Sequence, residues 1–202
     1  MNTIKRTRTH SNPLANLQEI HFEGFGNTKP IFVDVGAFKG EFMAELADKF
    51  PDHNYICFEI RLPIAEHLRE KFKERPNFRV FDGDAGRNFR NILEPCLKEG
   101  ATIEQIFVNF PDPHFKDRHK KRRFITTKFC NDLATWLPKE VEIIFQTDQQ
   151  FLFEETLEYL AETPYQSINR FEGSVHGIPT DWESVKLAKG ETIWRMKFTQ
   201  LI

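Results

Sequence analysis

The sequence predicts an α/β protein built on a mostly parallel sheet that closes with an antiparallel pair. Two observations carry that expectation. Between Ile31 and Ala161, apolar runs rich in β-branched and aromatic residues alternate with stretches at helical spacing, the signal of successive βα units. Beyond Pro164 the pattern changes to two short apolar alternations, Gln166 to Phe171 and Thr192 to Phe198, separated by a stretch containing Gly and Pro.

The first strand is Ile31 to Val35, ending at Gly36, and the helix after it places Phe42, Met43, Leu46, Ala47 and Phe50 on one face until Pro51 closes it. Tyr55 to Ile60 is the second strand. Pro63 then fits the first turn of a helix faced by Ile64, Leu68 and Phe72. Phe78 to Phe81 forms the third strand, Phe89, Ile92 and Leu93 mark a helix or helical turn, and Gln105 to Phe110 is the fourth strand. Pro111 to Arg123 reads as a loop. Thr127 to Leu137 is helical, with Phe129, Leu133 and Trp136 on one face and Pro138 as the stop, before a fifth strand at Val141 to Phe145 and a helix at Phe151 to Ala161.

A chain of 202 residues fits one core. Residues 30–202 are read as a single domain and 1–29 as an N-terminal extension in which Lys5, Arg6 and Arg8 form a flexible basic arm. With 40% hydrophobic and 29% charged residues the composition is that of a soluble globular protein, and it excludes collagen-like, mucin-like and prion-like chains. No run of about 18 apolar residues occurs, and the basic N-terminus lacks a following apolar region, so neither a membrane span nor a secretory signal is expected. Cys57, Cys96 and Cys130 are odd in number and widely spaced, which argues against a disulfide framework, a zinc site or any other metal, and for the cytoplasm.

The net charge of −2 argues at first against a nucleic-acid partner. The average hides one segment. Lys116 to Arg123, KDRHKKRR, carries +5, and the remaining residues sum to −7. A basic patch on an acidic body suits a phosphate-bearing ligand.

For a cofactor, the strongest local pattern is Asp34-Val-Gly-Ala-Phe-Lys-Gly40, with Glu59 placed 23 residues after Gly36. A glycine where strand turns to helix lets the backbone approach a ligand, and the acid after the next strand can accept ribose hydroxyls, for NAD and S-adenosylmethionine alike. Two features favour S-adenosylmethionine. Phe38 breaks the G-x-G-x-x-G pattern that seats a pyrophosphate, and Asp34 would repel a pyrophosphate yet pair with an ammonium. Asp84, after the third strand, either caps a helix or binds an adenine amino group. Asp112, between two prolines after the fourth strand, is a stiffly held acid beside the cationic run, and Asp148 follows the fifth strand.

The order of these motifs resembles a family. Asn109 to Arg123, NFPDPHFKDRHKKRR, then FQTD ending at Asp148, then Thr180-Asp-Trp-Glu183 with Gly190 and Trp194, are similar to the bacterial tRNA (guanine-N7)-methyltransferases from about Ile31 to the C-terminus. The resemblance implies a class I S-adenosylmethionine-dependent methyltransferase (Rossmann-like) fold, a mostly parallel seven-stranded sheet with an antiparallel C-terminal strand, and methyl transfer to N7 of guanosine 46 in the tRNA variable loop. It implies cofactor binding by Asp34, Gly36, Glu59, Asp84 and Asp112, and catalysis by Asp112 and Asp148. It implies substrate binding by Lys116, Arg118, Lys120, Lys121, Arg122, Arg123, Asp148, Thr180 and Glu183. Phe38 stands where the family often has glycine, and His114-Phe115 where tryptophan-proline is common. The alternative is a catalytically impaired paralogue acting as an RNA-binding module. Monomer and homodimer both stay open.

Overall fold

The computed structural model describes residues 18–201. Parallel strands need a crossover after each one, and the chain supplies helices for that purpose. The elements are β1 (Ile31–Val35), α1 (Glu41–Lys49), β2 (Asn54–Phe58), α2 (Leu62–Lys71), β3 (Phe78–Phe81), α3 (Ala85–Lys98), β4 (Ile103–Asn109), α4 (Thr127–Ala134), β5 (Glu142–Thr147), α5 (Gln150–Ala161), β6 (Ser167–Arg170), α6 (Asp181–Ala188) and β7 (Trp194–Thr199). A 3₁₀ turn at Asp117–Arg122 lies inside the expected loop. The strand order is β3-β2-β1-β4-β5-β7-β6. The chain divides after Thr102 into two compact units.

In the first unit, Val35 stands opposite Phe58 and Phe58 opposite Phe81, so three parallel strands end level. Their next residues therefore leave at one edge. β2 stops at Phe58, two residues short of the expected Ile60, and Glu59 follows with its N–H still bonded to Phe81 O of β3 at 3.0 Å. The ambiguous helical turn is a helix of 14 residues because Phe89, Ile92, Leu93 and Cys96 repeat on one buried face. Phe89 stacks on Phe58 at 5.2 Å between centroids, and a fully buried phenylalanine contributes about 1.5–3 kcal/mol. Before β1, residues 18–29 run against this helix: Ile20 N donates to Asn88 Oδ1 at 2.8 Å and Phe25 N to Glu99 Oε2 at 3.1 Å. The expected basic arm, Lys5, Arg6 and Arg8, lies outside the described residues.

In the second unit, β4 and β5 pair in parallel with Asn109 opposite Gln146, and β5 pairs antiparallel with β7, which pairs antiparallel with β6. The closing antiparallel pair is as expected. The helix α6 was missing from the sequence reading, which held a Gly/Pro-containing stretch there. Its start carries a plain signal, because Thr180-x-x-Glu183 is a capping box: Thr180 Oγ1 accepts from Glu183 N at 3.1 Å and Glu183 Oε2 accepts from Thr180 N at 3.3 Å.

Candidate active site

Four of the expected cofactor residues, Asp34, Gly36, Glu59 and Asp84, lie at or beyond the level strand ends of the first unit. Asp34 is buried at the end of β1, and together with burial itself its charge pushes the neighbouring Cys57 thiol up. Gly36 has φ of 82° and a Cβ there would meet no atom within 4 Å, so the turn needs glycine for its conformation and leaves open space beside it. Phe38 occupies the left-handed region at φ 48°, at a cost of about 1–3 kcal/mol that a glycine would avoid. Its exposed ring has Arg61 and Lys39 each 5.4 Å from the centroid.

Glu59 is buried, and Arg61 grips it as a fork: Nε donates to Oε1 and Nη2 to Oε2, both at 2.8 Å, with the Arg61 backbone N–H on Oε1 at 2.9 Å. Asp84 caps α3 by accepting the Arg87 N–H on Oδ1 at 2.8 Å. Desolvation raises its carboxyl above the usual range, against the smaller lowering by that hydrogen bond. The cap uses one oxygen, Oδ1. The set of Asp34, Glu59 and Asp84 around an open glycine fits a ligand with a positive charge, ribose hydroxyls and an amino group.

Asp112 and Asp148 follow adjacent parallel strands in the second unit. Pro111 and Pro113 stiffen the loop around Asp112, and Phe110 and His114 on either side hold positive φ, 49° and 44°, at a cost of about 1–3 kcal/mol each. Asp112 Oδ1 accepts from His114 N at 3.1 Å, which fixes the carboxylate. Asp148 Oδ2 takes Lys186 Nζ at 2.8 Å and Gln149 Nε2 at 2.9 Å. Lys186 also reaches Glu191 Oε2 at 2.7 Å and lies 5.0 Å over the Trp182 ring, so its ammonium is held and its pKa raised by the two carboxylates. Sequence reasoning missed Lys186. Its partner Asp148 is distant along the chain, and no local pattern announces the pair.

The cationic run does not present all its charges. Lys116, Arg118, Lys120 and Lys121 are exposed and Arg122 is half-buried. Arg123, expected among the substrate-binding cations, is corrected to an internal tie: it is 5% exposed, ion-paired with Glu155 of α5, and donates to Pro113 O at 2.8 Å and His114 O at 3.3 Å. Lys120 Nζ also lies 3.4 Å from Glu155. Desolvation, then the charge of Arg122, pushes the His119 imidazole below its usual range.

The expected direct contact of Glu183 with substrate is corrected in the same way. Glu183 is 0% exposed, and its Oε1 accepts from Arg195 Nη2 at 2.6 Å and Ser174 Oγ at 2.7 Å. With Thr180 as its cap partner, it ties the start of α6 to β7. Its contacts join three separate segments of the second unit, which makes it a scaffold group here.

This topology has relatives among solved methyltransferases. A 16S rRNA methyltransferase, KamB, superposes with TM-score 0.57 at 12% identity, covering 87% of this chain and 88% of that one. An O-methyltransferase from Thermotoga maritima gives TM-score 0.57 at 15% identity, covering 87% of this chain and 61% of that one. The fold is that of the class I S-adenosylmethionine-dependent methyltransferases. Residues 28–196 match the family described as "Putative methyltransferase". A tRNA (guanine-N(7)-)-methyltransferase of Clostridium beijerinckii is 37% identical over 147 residues, 71% of this chain and 67% of its own. The Listeria welshimeri enzyme of the same name is 36% identical over 182 residues, 87% of this chain and 82% of its own. The chain belongs to the tRNA (guanine-N7)-methyltransferase family.

Proposed function

We propose that this protein methylates N7 of a guanine in tRNA, at position 46 of the variable loop, in the cytoplasm. The observation that carries the reading is a pair of carboxylates, Asp112 and Asp148, leaving adjacent parallel strands, with an exposed cationic turn following the first of them. S-adenosylmethionine, when bound, supplies an electrophilic methyl group on a sulfonium. Asp34 pairs with the ammonium of its methionine part, and Gly36 leaves the backbone open to it. Glu59 would accept the ribose hydroxyls beside Arg61, and the Asp84 oxygen not used by the helix cap would accept the adenine amino group.

Guanine N7 carries an in-plane lone pair, so no strong general base is required. The chain's part is to place N7 in line and to stabilise the charge that moves onto the purine. Asp112 and Asp148 do this by accepting hydrogen bonds from the guanine N1–H and exocyclic amino group, which grow more acidic as N7 is alkylated. Those contacts are stronger in the transition state than in the ground state. Lys186 holds one oxygen of Asp148 and leaves the other for the base. Lys116, Arg118, Lys120, Lys121 and Arg122 meet tRNA phosphates, and Thr180 with Glu183 support this surface by anchoring the helix that bears Lys186.

The test is incubation of unmodified tRNA with methyl-labelled S-adenosylmethionine and the protein, followed by nucleoside digestion and mapping. Label in 7-methylguanosine at position 46 is expected. Label in any other nucleoside, or none, overturns the reading.

A further inference from the structure

Phe115 stands three residues after Asp112, and Phe151 three residues after Asp148. Their rings meet at 5.6 Å between centroids with a 44° tilt. Phe115 is 64% exposed and Phe151 38%, whereas Phe107, Phe145, Phe153 and Phe198 in the same unit are buried. An exposed phenylalanine by itself is ordinary. Two that touch each other, each just past a carboxylate of the candidate site and both among cations, are a built surface. Lys116 and Arg118 are exposed beside Phe115 in sequence, and the Arg123 guanidinium lies 5.3 Å over the Phe151 ring. Arg123 also holds the backbone before Phe115 through Pro113 O and His114 O, so the platform rests on a fixed loop.

An exposed aromatic pair flanked by positive charge, each ring offering its own face, suits a ligand that is flat and apolar in its middle and anionic at its edge. A nucleotide has that form: bases stack on aromatic rings and phosphates pair with lysine and arginine. We propose that Phe115 and Phe151 form a stacking platform for a nucleobase of the tRNA next to the methylated guanine. The proposal rests on the tRNA reading above. Drawing a guanine into a pocket separates it from its neighbour in the stack, and the neighbour then needs a new face. Phe115 and Phe151 provide one on the continuation of both site segments.

The test uses the full chain and tRNA carrying 2-aminopurine beside the target guanine. Binding to the unsubstituted protein changes the 2-aminopurine emission as the base restacks. Phe115→Ala is expected to weaken tRNA binding about tenfold, to abolish that emission change, and to leave S-adenosylmethionine affinity unchanged. Phe115→Trp restores both tRNA readouts, whereas Phe115→Leu, apolar but not planar, does not. If Phe115→Ala binds tRNA within about twofold of the unsubstituted protein, or if Phe115→Leu behaves as the unsubstituted protein does, the platform is overturned while 7-methylguanosine formation stands. If the unsubstituted protein makes no 7-methylguanosine, the tRNA reading fails and the platform with it.

Discussion

The two units hold their functional carboxylates differently. In the first, the partners are local: Glu59 is gripped by Arg61 two residues on, and Asp84 caps its own helix through the Arg87 N–H. In the second, Asp112 is likewise held two residues on, by the His114 N–H, but the ties around it span the chain: Asp148 is held by Lys186, Arg123 by Glu155, and Glu183 by Arg195. Local partners let a motif be read from its own segment. Remote partners decide which members of a motif reach solvent, and the motif alone does not reveal them.

The sharpest way to break this contrast is at Arg123. If it is a tie, Arg123→Ala removes the buried guanidinium, leaves half-buried Glu155 with Lys120 alone and frees the Pro113 and His114 carbonyls, lowering unfolding stability by about 1.5–3 kcal/mol, read as a drop in the urea midpoint. A stable Arg123→Ala protein that had merely lost tRNA affinity would return Arg123 to the substrate surface. Next comes Glu59. Glu59→Ala removes a charged acceptor and is expected to weaken S-adenosylmethionine binding about 10- to 100-fold by calorimetry, with tRNA affinity unchanged. Equal loss for both ligands would erase the division between the units. The smallest effect belongs to Lys121, which is exposed: Lys121→Ala leaves the urea midpoint alone, weakens tRNA binding modestly and lowers the slope of log affinity against log salt by about 1. An unchanged slope would remove Lys121 from the phosphate contacts.

The same contrast explains what was legible in the sequence. β1 and β3 lie where composition puts them: β1 is a buried parallel strand and reads as a short apolar run, and the edge strand β3 is marked by Phe78, Val80 and Phe81 although only Phe78 is buried. The carboxylates at strand ends followed from the same pattern, since a strand that is located also locates the residue after it. β2 was drawn too long because Ile60 extends the apolar run past the residue where pairing stops. The helix α6 carries its own signal in the capping box, since Thr180 to Glu183 is a helix-initiation pattern as well as part of the family motif. The roles of Arg123 and Lys186, and the tie of Glu183 to Arg195, had no local signature. Each depends on a side chain that only the folded topology brings near.

The division of labour itself is tested most directly by titrating S-adenosylmethionine calorimetrically into Asp148→Ala protein whose methyl transfer to tRNA is assayed in parallel. Asp148 is assigned to the guanine alone, so the affinity for S-adenosylmethionine is expected to match that of the unsubstituted protein while methyl transfer falls about 100-fold or more. Loss of S-adenosylmethionine binding, or retention of full methyl transfer, would contradict the assignment.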